Sequence, residues 1–304
     1  MNALVTGATT PLGRALVDRL VVHGPVLAVG LEEDGRFDHP DVRYVAADLT
    51  RARSVRELIY GPATEHGTDV LVHLAFHRRA GRARSAALHI EATRLLLRLA
   101  EESPVLKRFV HRSTAEVYAV RLDRPDILRE DHPLELAPTA PAWVRERVAA
   151  DLAACTRMGM SPIDIVVLRC AEILAPDMGS QLHDWLSASV CFRPMGYDPL
   201  VNVLSLEDAS RAFELAALGS GSGVYNIPGA DTLPLTALVR ESGRDAIGLP
   251  GPILGPLYAA RRRLTGARFR YRDNAWRFHF NGVLDGSRAA RDLGFRPSCR
   301  LSLG

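Results

Sequence analysis

ALVTGATTPLGRALVDRL, residues 3–20, decides the fold. ALVT (3–6) reads as a short buried strand, TGATTPLG (Thr6 to Gly13) as a glycine-punctuated turn, and a helix is expected over about 12–23. A glycine turn between a strand and a helix aims backbone N–H groups and the positive end of the helix dipole at one point. That geometry suits a pyrophosphate. Gly7 makes the tight turn, and Gly13 lets the helix pack close to the strand.

Moving outward, further strand candidates are VLAV (26–29), VRYVA (42–46), DVLVHLA (69–75), RFVHRS (108–113) and DIVVLRC (164–170). Helices are expected between them, at about 51–60, 84–102 and 143–159. Several of these strands are apolar almost throughout, as strands covered on both faces of a parallel sheet are. The alternation gives an α/β fold class, a Rossmann-type doubly wound parallel sheet. Beyond residue 170 the pattern loosens to strands at 199–204 and 223–227, with a helix at 206–218 between them. A dinucleotide-binding domain is expected over 1–170, with 199–227 returning to it. A smaller substrate lobe would comprise 171–198 and 228–304.

Composition sets the outer bounds. With 304 residues, 47% hydrophobic and 24% charged, the chain is not a mostly disordered one. No run of about 18 apolar residues argues for a membrane span. MNALVTGATTPLGRAL has no basic region followed by a long apolar one, so it is not a secretory signal, and a cytoplasmic location is expected. A net charge of +3 is too small for a nucleic-acid footprint. Lys107 is the only lysine, so a lysine mechanism has one candidate. Cys155, Cys170, Cys191 and Cys299 form no CxxC and suggest neither zinc nor a disulfide framework; reduced, mostly buried thiols and no metal are expected.

The chain resembles the extended short-chain dehydrogenase/reductases, the NAD-dependent epimerase/dehydratase group that often acts on nucleotide sugars. The likeness runs over about residues 2 to 300. TGATTPLG resembles TGxxGxxG, AADL (46–49) the end of the third strand, HLA (73–75) the end of the fourth, and RSTAEVY (112–118) the active-site strand. LRCAEILAP (168–176), NVLSLEDASRAFELA (202–216, with Asp208), GVYNI (223–227) and LGFRP (293–297) follow in order. The resemblance implies NAD or NADP held by Gly7, Thr10, Leu12, Gly13, Asp48, Leu49, Leu74, Ala75 and Arg147. It also implies a small-molecule substrate such as a nucleotide sugar, and a homodimer through two helices flanking the sheet.

Thr10 stands where the phosphate loop has its middle glycine; a Cβ there crowds the pyrophosphate, or the hydroxyl itself bonds a phosphate. The end of the second strand reads Gly30, Leu31, Glu32, Glu33 in place of the usual acid. Either glutamate reaches back to a ribose, or both are solvated, and Arg36 is placed for a 2′-phosphate.

The family pairs a Ser or Thr with a Tyr and a Lys at YxxxK spacing. Thr114 matches the first. In APTAPAWVRERVAADLAA (137–154), Trp143 falls on the Tyr, Arg147 on the Lys and Asp151 on the following acid. An indole N–H donates but has no useful acidity. STAEVY is also close to the STDEVY of sugar-nucleotide dehydratases, with Ala115 for the Asp and Glu116 retained, either as a base or as a hydrogen-bonded structural carboxylate. Tyr197, His77, His111 and His183 are further proton donors to weigh against ordinary structural roles. The arginine-rich stretch 249–272 is expected to be a solvated helix packed on the lobe, the alternative being a membrane surface or a phosphate-rich ligand. The functional expectation is an atypical NAD(P)-binding member acting without the usual tyrosine. The alternative is a non-catalytic NAD(P)-binding sensor or partner protein.

Overall fold

The computed structural model describes residues 1–76, 82–121, 123 and 126–300. Its centre is a parallel sheet of 7 strands. In chain order these are β1 (Ala3–Thr6), β2 (Val26–Gly30), β3 (Val42–Ala46), β4 (Val70–His73), β5 (Arg108–Thr114), β6 (Asp164–Cys170) and β7 (Gly223–Ile227). Their spatial order is β3-β2-β1-β4-β5-β6-β7, and every neighbouring pair is parallel. The order reverses between β1 and β4, which opens a crevice at the carboxyl ends of the strands. Thr6 sits between Val29 and His73 in register there.

The central strands are apolar on both faces because helices cover both. On one face α1 (Pro11–Leu20) lies against α5 (Leu206–Leu218), with Leu12, Leu16 and Phe213 fully buried. On the other, α2 (Ala52–Leu58) and α4 (Ala142–Cys155) flank α3 (Ala92–Glu102), and Val55, Leu96 and Ala154 are buried there. Ser205 caps α5 by accepting from the Asp208 N–H at 3.0 Å. The Asp208 carboxylate in turn accepts from the Ser298 and Cys299 N–H groups at 2.9 and 2.8 Å, so this buried acid pins the C-terminal segment.

A charge pair ties α4 to the sheet. Asp151, fully buried, accepts from Arg169 Nη2 at 2.7 Å and Nε at 3.0 Å, and from Ser113 Oγ at 2.5 Å. Burial opposes the Asp151 charge, but the Arg169 bonds outweigh it and hold the carboxyl below its usual range.

The lobe has its own core, built on Trp185, Tyr258, Phe269 and Phe278. Trp185 Nε1 donates to the Tyr258 hydroxyl at 2.7 Å, and that hydroxyl donates to Phe192 O at 2.8 Å. Of residues 199–227, strand Leu200–Leu204 joins a 3-stranded sheet with Glu172–Ile173 and Asp231–Pro234, whereas α5 and β7 lie with the main sheet. Helix α6 (Gly251–Thr265) packs Leu254 and Tyr258 into the lobe and leaves Arg262 and Arg263 exposed. No helix among the described residues is long and apolar enough to cross a membrane.

His73 and His111, on β4 and β5, stack at 5.7 Å beneath the crevice. Thr93 donates its hydroxyl to His89 O at 2.7 Å, so His73 Nε2 must donate to Thr93 and His73 Nδ1 must accept from Thr6 at 2.8 Å. Burial, with His111 adding, lowers the His73 pKa to about 3, and burial lowers that of His111 to about 4. The unfolded chain protonates both near 6.5 while the folded one does not. Stability is therefore greatest above about pH 6.5 and falls toward about pH 4. Urea midpoints across this window should drop steadily for the wild type. A His73→Gln, His111→Phe double variant, less stable at neutral pH, should show a flatter profile; an unchanged slope would contradict the neutral buried pair.

Candidate active site

The turn after β1 leaves no room for a side chain at either of its glycines. Gly7 has φ +70°, and a Cβ on it would come within 2.9 Å of the Ala75 backbone. A Cβ on Gly13 would come within 2.2 Å of Gly7 O. The loop and the first turn of α1 are thus seated directly on the end of β4. Thr10 is the N-cap of α1: its hydroxyl donates to Gly7 O at 2.7 Å and accepts from the Gly13 N–H at 3.1 Å. Of the two roles open to Thr10, the hydroxyl proton is committed within the loop. Leu12 and Leu74 are fully buried behind it, so only their backbone groups can serve a ligand.

A cleft of about 1470 Å³ runs from this loop to the lobe. Gly7, Thr10, Asp48, Leu49, Ala75, Glu116, Trp143 and Arg147 line it; Leu12, Gly13, Leu74 and Thr114 do not. At the end of β2 the cleft meets Glu32, whose Oε2 accepts from the Thr9 hydroxyl at 2.6 Å. That bond, against some burial, lowers the Glu32 pKa. Glu33 and Arg36 are not on its wall; Arg36 uses its carbonyl to accept from Arg14 Nη1 at 3.0 Å. At the end of β3, Asp48 Oδ1 accepts from the Thr50 hydroxyl at 2.6 Å, and Arg84 and Arg51 each lie 3.4 Å from Oδ2. Burial works against the Asp48 charge, but these partners prevail and hold its pKa low.

The far end is built from aromatic rings and arginines. Arg147, one turn after Trp143 on α4, lays its guanidinium 3.6 Å over the Phe76 ring. Arg112 lies 4.7 Å from the same ring. Phe76 also fills the space above Gly179, where a Cβ would approach the ring to 2.2 Å. The Trp143 indole N–H is buried and donates to none of the described residues. Thr114 caps the turn after β5, accepting from the Glu116 N–H at 3.3 Å.

Glu116 is not a free carboxylate. Its Oε1 pairs with Arg277 Nη2, and Arg277 Nη1 pairs with Glu172 Oε2. Glu172 Oε1 accepts from the Ser180 hydroxyl at 2.6 Å and the Leu182 N–H at 2.8 Å. The Arg277 guanidinium lies between Trp276, at 5.1 Å, and Trp143, at 5.9 Å. All three charged side chains are largely shielded, at 17%, 11% and 10% exposure for Glu116, Arg277 and Glu172.

Of the other proton donors weighed by sequence, His183 alone among the described residues lies on the cleft wall. Tyr118, the tyrosine nearest β5, is buried, donates to Asn226 Oδ1 at 2.6 Å, and has its pKa pushed up to about 12 by burial. Tyr197 meets the His279 ring edge-on at 4.3 Å, away from the cleft wall. His111 lies beneath the floor, His183 is on the wall, and His77 falls outside the described residues. Lys107 precedes β5, at the amino end of the sheet. Cys155 and Cys170 have thiol pKa values raised by burial to about 12, and Cys191 to about 11.

Arg277, Glu172 and Phe76 were not singled out by sequence. Glu172 sits within the LRCAEILAP landmark, but Arg277 is one arginine among many, and its partners are distant in the chain.

Residues 3–188 match the sequence model of a family described as the NAD dependent epimerase/dehydratase family. An uncharacterized protein of Mycobacterium tuberculosis is 27% identical over 97% of this chain and 79% of its own length. A short-chain dehydrogenase/reductase superfamily protein from Agrobacterium tumefaciens, crystallised with bound NAD, superposes with TM-score 0.73 at 18% identity, covering 100% of this chain and 94% of that one. DesIV, a dTDP-glucose 4,6-dehydratase from Streptomyces venezuelae with NAD and TYD bound, gives TM-score 0.71 at 22% identity over 99% and 94%. At these identities the two structures show a shared fold.

Removing the cation from the Glu116–Arg277–Glu172 bridge strands two shielded carboxylates. Arg277→Met should cost about 3–5 kcal/mol of stability at neutral pH by urea denaturation. Adding Glu116→Gln and Glu172→Gln should recover most of the loss; no recovery would mean that Arg277 acts through packing alone.

Proposed function

The chain belongs to the NAD dependent epimerase/dehydratase family, and from that premise we propose that it binds NAD in the cleft but does not use a tyrosine to exchange protons. One observation carries the reading: the cleft that begins at the glycine loop ends at an indole and an ion-paired carboxylate. Gly7, Ala75 and the first turn of α1 would hold the pyrophosphate, Asp48 and Leu49 would face the adenine, and Glu32 would take the adenosine ribose. When bound, the nicotinamide supplies hydride acceptance or donation. Trp143, aligned with the family's tyrosine, can donate a hydrogen bond but not a proton. Arg147, at the lysine position, has its guanidinium on Phe76. Glu116 is the carboxylate that the motif places beside them, and it is paired with Arg277.

Glu32 also favours NAD over NADP, because a 2′-phosphate would meet an ionised carboxylate. On the lobe side, Arg262, Arg268 and Arg270 line the cleft and suit a phosphate-bearing substrate of the nucleotide-sugar kind. A second reading, a non-catalytic NAD-binding sensor or partner protein, draws on the same Trp143 and Glu116 observations. The two readings differ in whether Glu116→Gln changes turnover.

Equilibrium titration with NAD(H) and NADP(H) tests the cofactor clause. NAD should bind at least about tenfold more tightly than NADP, with Glu32→Gln narrowing the gap. Gly13→Val, which forces a side chain into Gly7 O, should weaken NAD binding by about tenfold or more. Trp143→Phe should leave it within about twofold. Failure of every dinucleotide to bind would overturn the reading.

A further inference from the structure

Glu116 lines two cavities. One is the cleft; the other is a separate pocket of about 80 Å³ on the lobe side. Val120, Leu128, Leu182, Leu200, Phe278 and Leu284 make its walls, and Glu116, Glu172, Arg277 and Asn202 its polar rim. Most of that rim is engaged. Asn202 Nδ2 donates to Gly229 O, Asp231 O and Thr232 Oγ1, and its Oδ1 accepts from the Gly229 N–H. Both oxygens of Glu172 have partners. Glu116 uses Oε1 for Arg277, while none of the described residues donates to its Oε2, which is not fully buried. Two carboxylates and one guanidinium leave the rim with an excess of negative charge and one open acceptor.

Walls of this kind fit a sugar ring poorly, since each of its hydroxyls would lose water and find no partner. The pocket is about half the ~150 Å³ of an engineered apolar cavity that takes benzene, which leaves room for roughly three or four carbons. We propose that it seats a short alkyl group carrying a protonated amine, the ammonium donating to Glu116 Oε2. The inference rests on the function proposed above only for the role of Glu116: it places an alkylamine group in this lobe-side pocket, apart from the phosphate-bearing ligand that the cleft arginines suit, and the amine site itself does not require a bound dinucleotide.

Saturation-transfer NMR titrations with isobutylamine, isobutanol and isobutyrate test it on the full chain. Isobutylamine should bind saturably, about tenfold or more tighter than the alcohol or the acid, and Glu116→Gln should weaken it about tenfold. A Cβ on Gly282 would sit 3.8 Å from the Leu128 and Val120 side chains, so Gly282→Phe can fill the pocket without backbone strain. That variant should lose amine binding about tenfold while its NAD affinity stays within about twofold. Val120→Phe fills the same space from another element and serves if the first variant does not fold. No saturable amine binding to the wild type, equal binding of the alcohol or the acid, or amine binding untouched by both filling variants would overturn the proposal. Amine binding without NAD binding would overturn only the cofactor reading, so the two fail separately.

Discussion

Backbone against backbone at the carboxyl end of β1 is the contact on which the rest of the molecule is arranged. Gly7 has no room for a Cβ against Ala75, and Gly13 has none against Gly7. This close approach seats α1 on the junction of β1 and β4, where the strand order reverses. The same approach brings the helix N-terminus to the mouth of the cleft, so the packing that orders the sheet also aims backbone N–H groups where the proposed dinucleotide would place its pyrophosphate. Thr10 fits this scheme because its hydroxyl replaces the permissiveness of glycine with an N-cap.

The opposite end of the cleft follows a different logic. There the controlling element is Arg277, which comes from the lobe and pairs with Glu116 after β5 and with Glu172 after β6. A guanidinium shared by two carboxylates and flanked by two indoles joins the lobe to the sheet through charge as well as packing. Shielded pairs of this kind gain little net stability once desolvation is counted, but removing one partner is expensive. They fix geometry, and here they fix a carboxylate on the wall of the cleft.

Much of the fold was legible in the sequence. β1, β6, β7 and α5 occupy the ranges read from it, because buried parallel strands are continuous apolar runs bounded by turns, and Ser205 with Asp208 marks a helix start. Boundaries failed where apolar runs continue past the hydrogen-bonded ladder: DVLVHLA forms a strand only over Val70–His73, since Leu74 and Ala75 have already turned toward the glycine loop. The glycine loop was legible because its parts are close in the chain. Glu116 was legible as a residue but not as a state, because its counter-ion lies far along the chain in a lobe with weak periodicity. Thr114 matched its motif, and its hydroxyl also accepts from the turn that it caps. Phe76 carried no local signal at all, since its role depends on Arg147, Arg112 and Gly179 meeting around it.

The central claim is that the dinucleotide cradle persists although the reacting end has been rebuilt. The most direct measurement is mass spectrometry of whatever nucleotide the purified protein releases on denaturation, together with uptake of added dinucleotide by the stripped, refolded chain. NAD, released or taken up, is the expected result. A protein that releases no dinucleotide and takes none up would mean that the glycine loop is kept only to hold α1 on the sheet.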